Sequence, residues 1–527
     1  MTRCESGQFG RLLKRAAIFA ALFFCAPAVF AQEVTLRSTD RAMEVVGRYI
    51  GFDGTNIQIE TTFGPLTLRY DTVTCEGDAC PDLATYVPEL RFSGARTMAQ
   101  VLMPALVEGF ARSQGLRART QAEDGSRFVL TLETSDGAEQ ARFSFRVTNT
   151  DEGFADLIAH EADFVMSARE VRPAETALAA EVGLGRLDSA RQSRIVGLDA
   201  LVPVVSPRLG VPTISLSTLA AAYAGEVTNW QEAGGIDLPL TVHLGPVTDG
   251  QSQRFIDEVL RGSDREISPT VVRHATDEAL SIAVAAQAGA LGILPKTIRG
   301  PAQAIALRDS CGFVSAPVVT AMKTEDYPLT APLFLYLPSR QLAPVAYEFL
   351  AWLRGPEAQL VVRRAGFVDQ GAVPISLDAQ GQRFANAIVA AGADMPLTEL
   401  QRMVRILGAQ VRLSTSFRFE VGSTRLDAQS RSNLLSLAQA IRDGRYQGRT
   451  LMLVGFSDGR GSAEANRDLS SARSVAVLRD LVEVMGGSLP EGVVVETEAF
   501  GEALPMGCDD TEWGRQMNRR VELWVAQ

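Results

Sequence analysis

Apolar and polar residues alternate in short runs from residue 33 to about 84, as in "EVTLRS", "MEVVGRYIGF", "IQIETTF" and "LTLRY". A period of two puts every second side chain on one face, so these runs predict strands, with Asp53-Gly54 turning the chain between the second and third. The expected product is a small β-rich module over 33–84, barrel-like and closed by a cysteine-containing loop. From about 87 to 370 strands alternate with helices. "ELRFSG" leads into "TMAQVLMPALVEGFARSQG", whose apolar residues fall at helical spacing before a glycine stop. "DALVPVV", "LTVHL" and "ALGILP" are continuous apolar runs, as buried strands of a parallel or mixed sheet require. Residues 372–411 carry two helical patterns, "QGQRFANAIVAAG" and "PLTELQRMVRILG", and read as a connector. Over 412–527 the alternation returns. "SFRFE" precedes a helix from Asp427 to Gly444 with Leu434, Leu437, Ala438 and Ile441 on one face, then come "TLMLVGF", a helix from near Ala465 to Met485, "VVVETEAF" and "RRVELWV". The predicted class is α/β, the last segment a small α/β sandwich.

A chain of 527 residues is too long for one core, and about three domains are expected. Lys+Arg 51 against Asp+Glu 62 gives a net charge of −11, which disfavours nonspecific binding to nucleic acid or anionic lipid. Arg11, Lys14 and Arg15 precede the apolar run "AAIFAALFFCAPAV", and "VFA" ends at Ala31, so residues 1–31 read as a cleaved export signal. A lipoprotein site at Cys25 would follow bulky Phe24, where a small residue is needed. Cysteine usage suits an oxidising compartment. Cys75 and Cys80 lie in the turn-rich "TCEGDACP" and are expected to form a local disulfide; no histidine stands near them to complete a metal site. Cys311 and Cys508 are either two buried thiols or one long-range bridge.

Gly455-Phe456-Ser457-Asp458-Gly459 fits G-x-S-x-G, the nucleophile elbow of serine hydrolases. That fold orders its residues Ser, acid, His along the chain, and His160, His243 and His274 all precede Ser457. The hydrolase reading therefore falls, and no enzyme activity, resident metal or cofactor is expected. The neighbours of Asp458 say more. "GFSDGRGSAEANRDLSSARS", "AFGEALPMGCDDTEWGR" and "NRRVEL" together resemble the OmpA-like peptidoglycan-binding domain over roughly 412–527. The resemblance implies that Asp458 and Arg473 grip the diaminopimelate residue of a stem peptide, with Asn466 bracing the loop or bonding the ligand backbone and Ser457 keeping a hydroxyl where threonine is common. Chemistry agrees with this. Diaminopimelate offers an ammonium and a carboxylate side by side; an aspartate answers the first and a guanidinium the second, with two parallel bonds. Arg515, Asn518, Arg519 and Arg520 are expected to brace the closing strand.

The middle segment, 87–370, resembles periplasmic solute-binding proteins of the phosphate-binding type in "FSGARTM", "ADFVMSAR", "YAGEVTNWQEAGG", "GALGILP", "YPLTAPLFLYL" and "AQLVVRRAGFV". The resemblance implies two α/β lobes of type II kind with a solute between them. Its site positions fall on Thr97, Met98, Thr150, Ser167 and Gly250, with Arg169 and Arg254 as additional cations. A desolvated oxyanion needs several donors at once. Here, however, Asp151 and Glu152 follow Thr150, Ala168 follows Ser167 where the pattern has an acid, Gly245 stands near the place of an arginine, and Asp249 opens the Gly250 loop. One cation fewer and one anion more predict phosphate affinity short of a dedicated receptor. The resulting expectation is a periplasmic protein tethered to the cell wall and outer membrane region. It would bind peptidoglycan and phosphate or another small oxyanion, in service of an ABC importer. The alternative is a non-transport envelope protein with a degenerate cleft.

Overall fold

The computed structural model describes residues 33–526 except 41, 84, 85, 299, 393, 394, 421, 422 and 424. The export signal expected over 1–31 lies outside the described residues. The described residues divide into two compact units, one comprising those up to Gly51 and Asn56–Pro81, the other comprising Phe52–Thr55 and those from Asp82 onward.

In the first unit, strands Glu33–Ser38, Glu44–Phe52, Asn56–Thr61, Gly64–Arg69 and Val73–Glu76 form one sheet in the order fourth, third, second, first, fifth. Val34 and Leu36, and Ile57 and Ile59, point to its buried side, as the period of two requires. The fourth and fifth strands are its two edges, so the module is an open sheet and not the barrel expected. Closure needs edge strands that meet along their length, and the fifth has four residues. Cys75 and Cys80 are bridged, with Cα atoms 5.7 Å apart.

In the second unit, a large mixed sheet runs through two lobes. Strand Ser193–Val205 is 13 residues long and pairs along its first part with Thr330–Tyr336 and along its second with Ala290–Pro295. Through Thr330–Tyr336 the sheet continues to Phe164–Ser167, Glu89–Ala95 and Glu139–Thr148; through Ala290–Pro295 it continues to Thr241–Leu244 and Val272–Arg273. Ser193–Val205 thus runs from one lobe into the other. The first lobe packs on stacked rings, Phe92 lying 4.6 Å from Phe164 and 5.0 Å from Phe145. The helix expected after "ELRFSG" is not uniform: wide turns over Met98–Leu102 precede the α-helix Met103–Ser113. Pro104, which lacks an N–H, sits in the first turn of the regular part, where no partner is needed. "ALSIAVAAQAGALGILP" splits between helix Asp277–Ala286 and strand Ala290–Pro295. Among the described residues no helix is long and apolar enough to cross a membrane.

The C-terminal sheet has the order Pro374–Ile375, Gln410–Arg418, Arg520–Ala526, Thr450–Phe456, Val494–Ala499. Its faces alternate cleanly. Leu451, Leu453, Val521 and Leu523 meet the helices Ala428–Arg442 and Ala463–Val484, whereas Met452, Val454, Phe456 and Trp524 meet Leu400, Met403 and Leu407. Residues 372–411 therefore do more than connect. Pro374–Ile375 adds an edge strand, and helix Leu397–Leu407 covers a sheet face that would otherwise expose tryptophan and phenylalanine.

This sandwich and the second lobe are joined at several points. Cys311 and Cys508 form a disulfide. Asp309 accepts from the Cys508 N–H at 2.8 Å. Arg412 pairs with Asp326 at 2.8 Å and with Glu522 at 3.2 Å, while Arg418 donates to the carbonyls of Glu325 and Met517. Arg412, Arg418, Asp326 and Glu522 are all buried. Ions so placed are costly to desolvate and hold only in a network that pairs every charge.

Candidate functional site

Strand Thr450–Phe456 ends in the buried Phe456 and leads through buried Ser457 to half-buried Asp458 in the loop that follows. Gly455 has a packing reason to be glycine. A Cβ there would lie 2.0 Å from the Ser470 carbonyl oxygen, so helix Ala463–Val484 crosses directly over the strand end. That approach brings Arg473 of the helix into the field of Asp458. The Asp458 Oδ2 is held by Arg519 Nη1 at 2.9 Å, and Arg519 in turn reaches Glu512 at 2.6 Å. Asp458 Oδ1 accepts only a longer bond, 3.2 Å, from the Arg460 N–H.

Arg473 is half-buried and lies over the Phe419 ring, 5.7 Å from its centroid. Its Nη1 is buried with no hydrogen-bond partner among the described residues, and the Ser457 hydroxyl is in the same condition. Burial lowers the Arg473 pKa first and the neighbouring Arg519 lowers it further, against the opposing pull of Asp458. Two guanidiniums thus share one carboxylate, and one of them keeps a free, partly desolvated N–H. Such a group is placed to accept a carboxylate. The far wall is fixed by Asn518, whose Oδ1 accepts from the N–H groups of Met506 and Gly507 while its Nδ2 donates to Asp509. Asp509 then accepts from the Gly459 N–H at 2.7 Å, tying the Cys508 loop to the Asp458 loop.

The structure brings Ser457, Asp458 and Arg473 to one end of the sheet. Asn466 is buried and donates to Glu502, which makes it a brace of this region. Asp458 and Arg473 form no mutual salt bridge; the ion-pair partner of Asp458 is Arg519. Arg519 was expected only to brace the strand. Its signal was the doubled arginine of "NRRVEL": Arg520 turns inward to Glu522 and the Leu504 carbonyl, so its neighbour turns outward along the strand.

The interlobe cleft is built differently. Thr150 is fully buried, and its Oγ1 accepts from the Ala168 N–H at 3.3 Å. Ser167 donates to the Arg169 carbonyl at 2.6 Å. Gly250, from the other lobe, comes so close that a Cβ would sit 2.3 Å from Thr150 Oγ1. Thr97 is half-buried at the start of the wide turns, but Met98 is part of the first lobe's core and corrects the expectation that it faces solute. Arg169 and Arg254 also need correction, since neither is a free cation facing the cleft. Arg169 is 3% exposed, pairs with Asp151 and Glu175 at 2.5 and 2.6 Å, and bonds Gln253 across the lobes at 3.0 Å. Arg254 binds the Thr330 carbonyl and Glu258, both at 2.8 Å. Asp249 places its own carboxylate on the N–H groups of Gln251 and Ser252. Gln251, 4% exposed, leaves both side-chain polar atoms without a partner among the described residues.

Comparison with known proteins follows these divisions. Residues 120–357 match the model of the PBP superfamily domain, and residues 418–519 match that of the OmpA family. The chain is 28% identical over 193 residues to the phosphate-binding protein PstS of Bacillus subtilis, covering 36% of this chain and 61% of that protein. It is 33% identical over 115 residues to a peptidoglycan-associated lipoprotein of Pseudomonas putida, covering 22% of this chain and 65% of the other. The chain therefore spans about three-fifths of the length of the curated relatives it matches. Among solved structures, an ABC-type phosphate transport receptor from Vibrio cholerae aligns over 53% of this chain and 99% of its own, with 17% identity and a TM-score of 0.41. The peptidoglycan-associated lipoprotein from Burkholderia pseudomallei aligns over 21% and 88%, with 26% identity and a TM-score of 0.19.

Proposed function

We propose that this chain, with a PBP-superfamily domain in its middle and an OmpA-family domain at its C-terminus, is a periplasmic binding protein that attaches to peptidoglycan. The observation that carries the reading is the unpartnered Nη1 of Arg473 beside the Asp458–Arg519 pair. A diaminopimelate side chain fits that charge pattern, its carboxylate on Arg473 and its ammonium on Asp458 Oδ1. Ser457 adds a hydroxyl at the same strand end. A charge-assisted hydrogen bond contributes roughly 1.5–3 kcal/mol. Asp458→Ala or Arg473→Ala is therefore expected to weaken binding by about ten- to a hundredfold. Sedimentation of the full exported chain with purified sacculi measures it. Parent protein in the pellet and both variants in the supernatant support the assignment; equal pelleting of all three contradicts it.

For the middle domain, the geometry favours the second of the two readings, a cleft that no longer serves as a phosphate trap. Asp151 and Glu175 neutralise Arg169, and Asp249 occupies the amides an oxyanion would need. The domain then acts as an envelope interaction module, or takes a ligand whose donors suit Gln251 and Asp249. Calorimetry of the full chain against phosphate at neutral pH is expected to give no submicromolar binding, and tight binding would restore the receptor reading with its importer partner.

A further inference from the structure

Between the first lobe and the C-terminal sandwich lies a cavity of about 430 Å³, well away from both sites in its lining residues. Its size falls in the range of small-molecule sites. Arg194, Arg354, Arg363, Arg431 and Arg445 line it, against only Asp369 and Asp443. On a protein of net charge −11 that excess is a local reversal of sign. Two of the arginines have carboxylate partners, Arg363 in Asp369 at 3.0 Å and Arg431 in Glu420 at 3.4 Å, although Asp369 is shared with Lys323 and Glu420 with Arg425. Neither Arg194 nor Arg354 has a carboxylate partner among the described residues. Arg194 is half-buried; its Nη1 donates to backbone carbonyls, and its Nε is buried without a partner. Burial and the nearby positive charge of Arg354 push its pKa down to about 10. Arg194 is thus partly desolvated in the field of Arg354, which stands exposed at the rim, and an anion joining the two would relieve that repulsion.

The rest of the cavity is firm. Gln370 bonds the Ile195 carbonyl at 2.6 Å and accepts from Ser432 at 2.6 Å, linking lobe and sandwich. Leu350, Leu353 and Leu437 supply an apolar wall.

We infer that this interdomain cavity is a second ligand site, taking a small organic or inorganic oxyanion of at least two negative charges that Arg194 and Arg354 hold between them. The site exists only where the lobe and the sandwich meet, so its ligand also clamps the two. The chemistry suits either a polycarboxylate or a phosphate compound, and two probes separate these sources. Calorimetric titration of the full exported chain with citrate and with pyrophosphate is expected to show one-to-one binding of at least one of them. Arg194→Gln with Arg354→Gln is expected to weaken that binding about ten- to a hundredfold, and Arg354→Lys, which keeps the charge, to leave it within a few-fold. Should the double variant fail to fold, Arg354→Gln alone, at the exposed rim, reads the same effect. No binding of either probe by the parent overturns the inference. So does binding that the variants leave unchanged, because the anion then sits elsewhere.

Discussion

Asp277 illustrates how the cleft handles charge. Its carboxyl is pushed up to about 7, by burial first and then by the negative fields of Asp249, Glu278 and Asp199. A carboxyl raised in the folded state favours folding below its ordinary value near 3.8 and loses that advantage as pH climbs towards 7. Asp277→Asn is therefore expected to raise the melting temperature at pH 8 and to leave it unchanged near pH 4. Thermal denaturation across that range checks the sign, and a gain independent of pH would contradict it. At this scale the sequence was informative about residue types but not about partners. Asp458, Arg473 and Ser457 were legible as a constellation only through the resemblance that their surrounding motif carries. Arg169 was visible as a cation, yet it is neutralised by Asp151 and Glu175 and held by Gln253, a residue of the other lobe. Spacing along the chain carries no record of that pairing.

The elements themselves were readable because periodicity reports which face is buried. It does not report how sheets are ordered or which helix covers which face, hence the open sheet of the first unit and the packing role of helix Leu397–Leu407. Apposition of elements yields a sharper prediction at Gly250. A methyl group there would press on Thr150 Oγ1 at 2.3 Å and on the Ala168 methyl at 3.3 Å. Overpacking of this kind costs about 1–3 kcal/mol. Gly250→Ala is expected to destabilise the protein by that amount, with part of the loss recovered by Thr150→Ala, which removes the nearer atom. A double-mutant cycle by denaturant unfolding measures the coupling; simple additivity would show that the lobes do not close on these residues.

In the molecule as a whole, the Cys508 loop serves two masters. It is bridged to Cys311 of the second lobe, and through Asp509 it supports the loop of Asp458. A bridge across 197 residues stabilises by about 4–5 kcal/mol at most, through the unfolded state. Cys311→Ser is expected to lower the melting temperature by several degrees and to leave the overall dimensions in solution scattering unchanged, because Arg412, Asp326 and Glu522 still join the domains. A melting temperature insensitive to that change would show that the bridge does not form. The central claim, recognition of the two-charge side chain by Asp458 and Arg473, is tested most directly by a change in the ligand. Calorimetry of the full chain with a stem peptide containing diaminopimelate, and with its lysine analogue that lacks the side-chain carboxylate, isolates the Arg473 contact. The account predicts at least about tenfold preference for the diaminopimelate peptide, erased by Arg473→Ala, and a weakening of both peptides by about ten- to a hundredfold in Asp458→Ala. Equal affinity of the parent for the two peptides would contradict it.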